Sequence, residues 1–241
     1  MTTDVLSAPE AGRPGPGLAS RVFGVLLSPR ETYAAVAARP RSLGVLLVVM
    51  TVIVSSVTLF LRTEVGQEAA LDQALSTLDA FGVDLPDEAY AQIEARMSRA
   101  WITSGLGQVI FWLPALAILA GLQTGIFSTL LGGNATYRQV FAVVAHSAVV
   151  IALQQAFSMA LSYASGRFAS ANLGVFLPML EEGSFLAVLL GAVDLFMLWW
   201  ILSLSMGLGV LYKRRTGGVA ITFTALYIGV VLLYAVVRSA F

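Results

Sequence analysis

The sequence predicts an all-α, polytopic membrane protein: a bundle of five transmembrane helices with an N-terminal interfacial amphipathic arm and a helical outer loop. Three observations carry this. The 241 residues are 58% hydrophobic and only 12% charged, about half the charge of an ordinary soluble domain. The chain contains several apolar runs long enough to cross a hydrocarbon core of roughly 30 Å. Its basic residues are distributed unevenly about those runs, as chain orientation in a membrane requires.

The arm covers residues 1–42. Its opening, "SAPEAGRPGPG", is rich in Pro and Gly, and 1–17 is expected to be disordered. Residues 18–40 read as two short amphipathic helices. Val22, Val25 and Leu26 share one face of the first; Tyr33, Val36 and Ala37 share one face of the second. Ser28 with Glu31 has capping-box spacing, and Pro29 suits the first helical position. Neither helix is long enough to span. With arginines on the polar side they suit the inner headgroup region, although an arm packed on the cytoplasmic loops has the same pattern. The first long apolar run starts only near Leu43, so no cleavable leader is visible.

Five spans follow in a domain over 43–241: about 43–61, 105–131, 138–164, 185–212 and 219–238. Gly132-Gly133-Asn134 and Gly217-Gly218 punctuate the tight connections. Thr136 with Gln139 marks the start of the third helix. The outer loop, 62–104, carries Leu71, Leu75 and Leu78 at helical spacing, with Gly82 closing that segment. Asp84-Leu85-Pro86 then opens a second helix with Tyr90, Ile93, Met97 and Trp101 on one face. Capping the bundle is the preferred reading of this loop, and an outward docking surface is the other.

Arg13, Arg21, Arg30, Arg39, Arg41, Arg138, Lys213, Arg214 and Arg215 lie on one side of the spans. Arg62, Arg96, Arg99, Arg167 and Arg238 lie on the other. The richer side is expected in the cytoplasm, which puts the N-terminus inside and the C-terminus outside. Lys213, Arg214 and Arg215 suit anionic lipid phosphates at the inner leaflet.

Three segments together resemble the bacterial branch of the Yip (Ypt-interacting protein) family. They are "SPRETYAAVAARPRSL" before the first span, "GGNATYRQVFAVVAHSAV" at the second loop, and "DLFMLWWILSLSMGLGVLYKRR" in the fourth span. The resemblance runs from about Ser28 to Phe241. It implies a five-helix membrane protein with a cytoplasmic N-terminus. Eukaryotic relatives are associated with Rab-type GTPases and with trafficking. The tyrosine-and-tryptophan motif of eukaryotic arms is absent, since this arm has only Tyr33 and no Trp. Where family members often carry a tyrosine and a nearby proline, the third span has His146 and no proline.

Polar residues within the spans are costly and need partners. At 1.5 Å per residue, Asp194 lies about 27 Å from the cytoplasmic end of its span, Gln154 and Gln155 about 22–24 Å, and Tyr234 about 22 Å. These form an expected outer polar layer. His146, Gln123, Tyr227 and Ser205 fall at about 10–12 Å in an inner one. Two roles suit Asp194. It hydrogen-bonds Gln154 or Gln155 and fixes two helices in register, or it marks a proton or solute path. Gly121 and Gly125, with Ala117, make a small-residue packing seam on the second span, and Gly191 does the same beside Asp194. Pro114 should kink the second span.

Enzyme readings fail on inventory. There is no nucleophile elbow, phosphate-binding loop or paired-carboxylate layer. With no cysteine and a single histidine, no metal site and no cofactor are expected. The expected function is a non-enzymatic Yip-like scaffold that organises a bacterial inner membrane. The alternative is a small permease, ion or lipid-handling channel using the layer around Asp194. Expected partners are the bilayer, anionic headgroups at its inner face, and a membrane protein or a second copy of the chain, with no nucleic acid.

Overall fold

The structure, a computed structural model, describes residues 17–83, 85–177, 179–181 and 183–240. Nearly all of the expected disordered segment, and Asp84, lie outside the described residues. The helices are α1 (Leu18–Leu27), α2 (Pro29–Ala38), α3 (Leu43–Leu61), α4 (Glu64–Ala80), α5 (Asp87–Met97), α6 (Ala100–Thr124), α7 (Tyr137–Ser165), α8 (Phe185–Ala192), α9 (Leu195–Leu211) and α10 (Thr216–Ala240). Gly125–Leu130 continues α6 as a π-helix, and Leu173–Phe176 forms a short 3-10 turn.

Four segments are long and apolar enough to cross a membrane: Leu43–Leu61, Ala100–Leu130, Tyr137–Ser165 and Thr216–Ser239. The expected fourth span is not one helix over 185–212. It is two, α8 and α9, separated at Val193 and Asp194.

α7 is the centre of the bundle. Two thirds of its apolar window is buried (67%), against 17% for Ala100–Leu130 and 22% for α10. Every residue from Ala142 to Ala152 except His146 is small or β-branched, and all eleven are buried. A helix that is apolar on all sides belongs inside a bundle, and its Ala, Val and Ser side chains let neighbours approach closely. α3, α6 and α9 pack around it, while α10 lies outside α9 and α8. The start of α7 is the expected capping box: the Thr136 side chain accepts from Gln139 N, and the Gln139 side chain accepts from Thr136 N.

The arm departs from expectation. α1 and α2 form, but their apolar faces turn into the bundle. Val25, Tyr33 and Val36 are at most 1% exposed and share one core cluster with Val143, Leu204 and Leu208. α2 packs on α9 and α7. The physical reason lies in α9: Gly207 leaves a slot in which a Cβ would meet Val143 Cγ1 and, at 3.0 Å, the Tyr33 ring. Ser28 does not form the expected capping box with Glu31, since its side chain makes no cap bond. Its carbonyl instead accepts from the Thr32 hydroxyl at 3.0 Å.

The outer loop is a helical hairpin that continues the bundle. Thr63 turns α3 into α4, accepting from Gly66 N and donating to the Phe60 carbonyl. Ala69 of α4 packs with Val57, Phe60 and Leu61 in a second, smaller cluster. Gly82, at φ +65°, closes α4 as expected, with Val83 N bonding back to the Leu78 carbonyl at 3.1 Å. The Arg62 guanidinium sits over the Trp101 ring at 5.1 Å, tying the end of α3 to the start of α6.

The packing seam on α6 is rotated from the expected one. Leu116, Ala120, Gln123 and Phe127 are buried there, at spacings of four, three and four. Gly121 is exposed, and a Cβ at either Gly121 or Gly125 would meet nothing within 4 Å. Small size at those positions serves no close approach. A Cβ at Gly191 would likewise meet nothing within 4 Å; the glycine required beside it is Gly174, whose Cβ would lie 3.2 Å from the Gly191 N and Cα. The approaching element is the 3-10 turn rather than another span. Pro114 lies inside α6, on an exposed face.

Candidate functional site

The site is the interruption between α8 and α9. Val193 and Asp194 are extended, at φ/ψ of −85°/96° and −83°/129°. Opening a helix inside an apolar run frees backbone groups that lipid cannot satisfy, and three sets of protein atoms satisfy them here. Leu173 N donates to the Val193 carbonyl at 3.0 Å, and Leu195 N donates to the Ala171 carbonyl at 2.8 Å. These bonds make a one-residue antiparallel pairing of Asn172 with Asp194. Ser162 Oγ anchors the pairing segment by accepting from Ala169 N at 2.9 Å. The third set comes from α10. The Tyr227 hydroxyl accepts from Asp194 N at 2.9 Å and donates to the Ala192 carbonyl at 3.1 Å.

Asp194 itself is the N-cap of α9. Its Oδ1 accepts from Met197 N at 3.0 Å, which satisfies one of the free amides of the first turn. An acid within this apolar run is therefore a helix start, not a mid-helix group seeking a partner across the bundle.

The expected outer layer does not assemble around it. Among the described residues no hydrogen bond joins Asp194 to Gln154 or Gln155, which are half-buried on α7. Tyr234 is 53% exposed and faces away from the core. Tyr227, assigned by depth to the inner layer, is the residue that meets Asp194. The depth count failed because α10 starts three residues earlier than expected, at Thr216, and because a tyrosine side chain reaches well beyond its own Cα.

The inner layer is buried. His146 is fully enclosed, with Nδ1 donating to the Ala142 carbonyl at 2.7 Å. That bond assigns the proton to Nδ1 and leaves Nε2 as an acceptor. Among the described residues, His146 Nε2, Gln123 Oε1 and Ser205 Oγ have no hydrogen-bond partner. Two further polar contacts were not legible in sequence. Trp200 Nε1 donates to Ser147 Oγ at 3.1 Å, joining α9 to α7. The Tyr33 hydroxyl and Ser203 Oγ lie 2.7 Å apart, joining the arm to α9. Burial pushes the Tyr33 phenol well above its ordinary value, against a smaller opposing effect of the Ser203 bond. The amphipathic face of α2 was the available signal, and it fits a protein groove as well as it fits a lipid surface.

Lys213, Arg214 and Arg215 follow α9 and are exposed. Arg214 Nη2 donates to the Leu131 carbonyl at 3.2 Å, bridging the α9–α10 and α6–α7 connections. Among the described residues no group of three His, Asp or Glu side chains could hold a metal ion.

A bundle built around one buried helix, with apolar spans facing outward and an interrupted helix repaired by its neighbours, defines an all-α polytopic membrane protein. The sequence profile of the Yip1 domain matches residues 23–238, and the chain belongs to the Yip1 domain family. The match begins inside α1, so the arm that packs into the bundle is part of the family's domain. No curated protein and no solved structure matches the chain.

Proposed function

We propose that this chain is a non-enzymatic, five-pass protein of a bacterial cytoplasmic membrane that organises the bilayer or a membrane-protein companion. The observation that carries this reading is the position of α7. The middle of the bundle is filled by a helix whose Ala142–Ala152 stretch is wholly buried, and close packing there favours a scaffold over a conduit. α9 alone extends about 25 Å; α8 supplies the rest of a fifth crossing of roughly 30 Å. The basic bias puts the N-terminus, the α6–α7 connection and Lys213–Arg215 at the inner face, against anionic headgroups.

The interruption at Asp194 favours a second reading. Discontinuous helices are the usual way transporters build a binding site near mid-membrane. Here the opened backbone groups bond to Ala171, Leu173 and Tyr227, which leaves fewer of them for a solute. Proteoliposomes separate the two. The scaffold reading expects no proton or cation flux above protein-free vesicles, together with a membrane-protein companion or a second copy recovered from native membrane. A flux that disappears in Asp194→Asn would overturn it in favour of a permease.

A further inference from the structure

We propose that the pocket between the α6–α7 and α9–α10 connections binds a phosphate group, either as the headgroup of an anionic phospholipid or as a free phosphate ester. The pocket is a cavity of about 340 Å³, at the lower end of the range for small-ligand sites. Lys213, Arg214, Asn134 and Gln139 supply its polar lining, and among the described residues no carboxylate lines it. Two cations without a counter-charge in one concavity are matched by a phosphate, on which Arg can place two parallel bonds and Lys a point charge.

The walls are held from four sides. The Phe127 and Tyr212 rings stack at 5.0 Å. The Tyr212 hydroxyl donates to Ser128 Oγ at 2.9 Å, and Ser128 in turn donates to the Ala135 carbonyl at 2.9 Å. Gly133 lies so close to this pair that a Cβ would sit 2.6 Å from the Tyr212 ring. Gln139 Nε2 reaches the Ala37 carbonyl at 3.2 Å, fastening the arm to the same corner. Lys213 has φ +53°, and no other non-glycine residue described has a positive φ. A lysine rarely adopts that conformation, and here it places the ammonium-bearing residue on the pocket lining. Nothing in the bundle's core depends on the lysine side chain.

The site deepens the proposed contact of the basic face with anionic lipid and rests on that orientation. The test uses the full chain in mild detergent, followed by native mass spectrometry. The probes are phosphatidylglycerol, phosphatidylcholine and glycerol phosphate. Lys213→Asn removes the charge while asparagine tolerates the left-handed backbone; Arg215→Gln removes an equal charge outside the pocket lining. The wild type is expected to retain one phosphatidylglycerol in preference to phosphatidylcholine. Lys213→Asn should weaken this about fivefold or more, with Arg215→Gln little changed. Glycerol phosphate binding with the same Lys213 dependence would identify the phosphate alone as sufficient; its absence would assign the site to lipid. Equal weakening in both variants would overturn the pocket and leave only general attraction to the basic face. No preference for the anionic lipid would overturn both the pocket and the proposed contact of that face.

Discussion

The Tyr227 hydroxyl closes the break before Asp194: it accepts from the Asp194 amide at 2.9 Å and donates to the Ala192 carbonyl at 3.1 Å. One phenol on α10 thus answers two of the backbone groups that the interruption between α8 and α9 leaves open, and the 171–173 segment answers the Val193 carbonyl and the Leu195 amide.

Tyr227→Phe keeps the ring and removes that answer. Two backbone groups then lack partners in an apolar setting, a loss of about 1–2 kcal/mol. The variant should fold but unfold at lower denaturant or temperature in detergent. Unchanged stability would mean that water already reaches the break.

Asp194 is expected to behave as a cap. Asparagine caps a helix about as well as aspartate, while alanine costs about 0.5–2 kcal/mol. Asp194→Asn should therefore match the wild type in melting temperature and in complementation of a deletion strain, and Asp194→Ala should melt lower. An asparagine variant that is fully stable yet inactive would remove the structural reading and promote a proton or cation path.

The fit of the arm onto α9 predicts opposite results at two glycines. Gly207→Ala would drive a methyl into Val143 and the Tyr33 ring, costing about 1–3 kcal/mol. Gly229→Ala, in α10 with nothing within 4 Å of its Cβ, should be neutral or stabilising by about 0.5–1 kcal/mol. Melting curves of the two variants, side by side, test the slot directly.

Tyr33→Ala tests what holds the arm. Loss of a fully buried aromatic costs about 3–5 kcal/mol, and this should appear in zwitterionic and anionic detergents alike. An arm held by headgroups through Arg21, Arg30, Arg39 and Arg41 would instead leave the bundle's stability in detergent unchanged.

Orientation can be read by labelling, because the chain has no native cysteine. A cysteine at Asp79, exposed near the end of α4, should react with an impermeant reagent in intact cells. A cysteine at Gly217, in the first turn of α10, should react only after permeabilisation. The reverse pattern would invert the proposed topology.

Much of the architecture was legible along the chain because its causes are local. Thr136 and Gln139 announce the start of α7, and Gly82 announces the end of α4, since caps and turns involve residues within a few positions of one another. The length of the apolar run over 138–164 foretold a spanning helix.

The candidate site was legible only in part. Asp194 stood out, but as a mid-span carboxylate, because "GAVDLFMLWW" is uniformly apolar around it. Hydropathy cannot distinguish one long helix from two when both halves are greasy. A helix opens inside a membrane only where other atoms take up its backbone bonds. Those atoms belong to Ala171, Leu173 and Tyr227, which are 24, 20 and 33 positions from their partners Leu195, Val193 and Asp194. The arm shows the same division. The apolar face of α2 was determined by sequence; that it meets Ser203 and Gly207 rather than lipid was decided by a slot that exists only once α7 and α9 have packed.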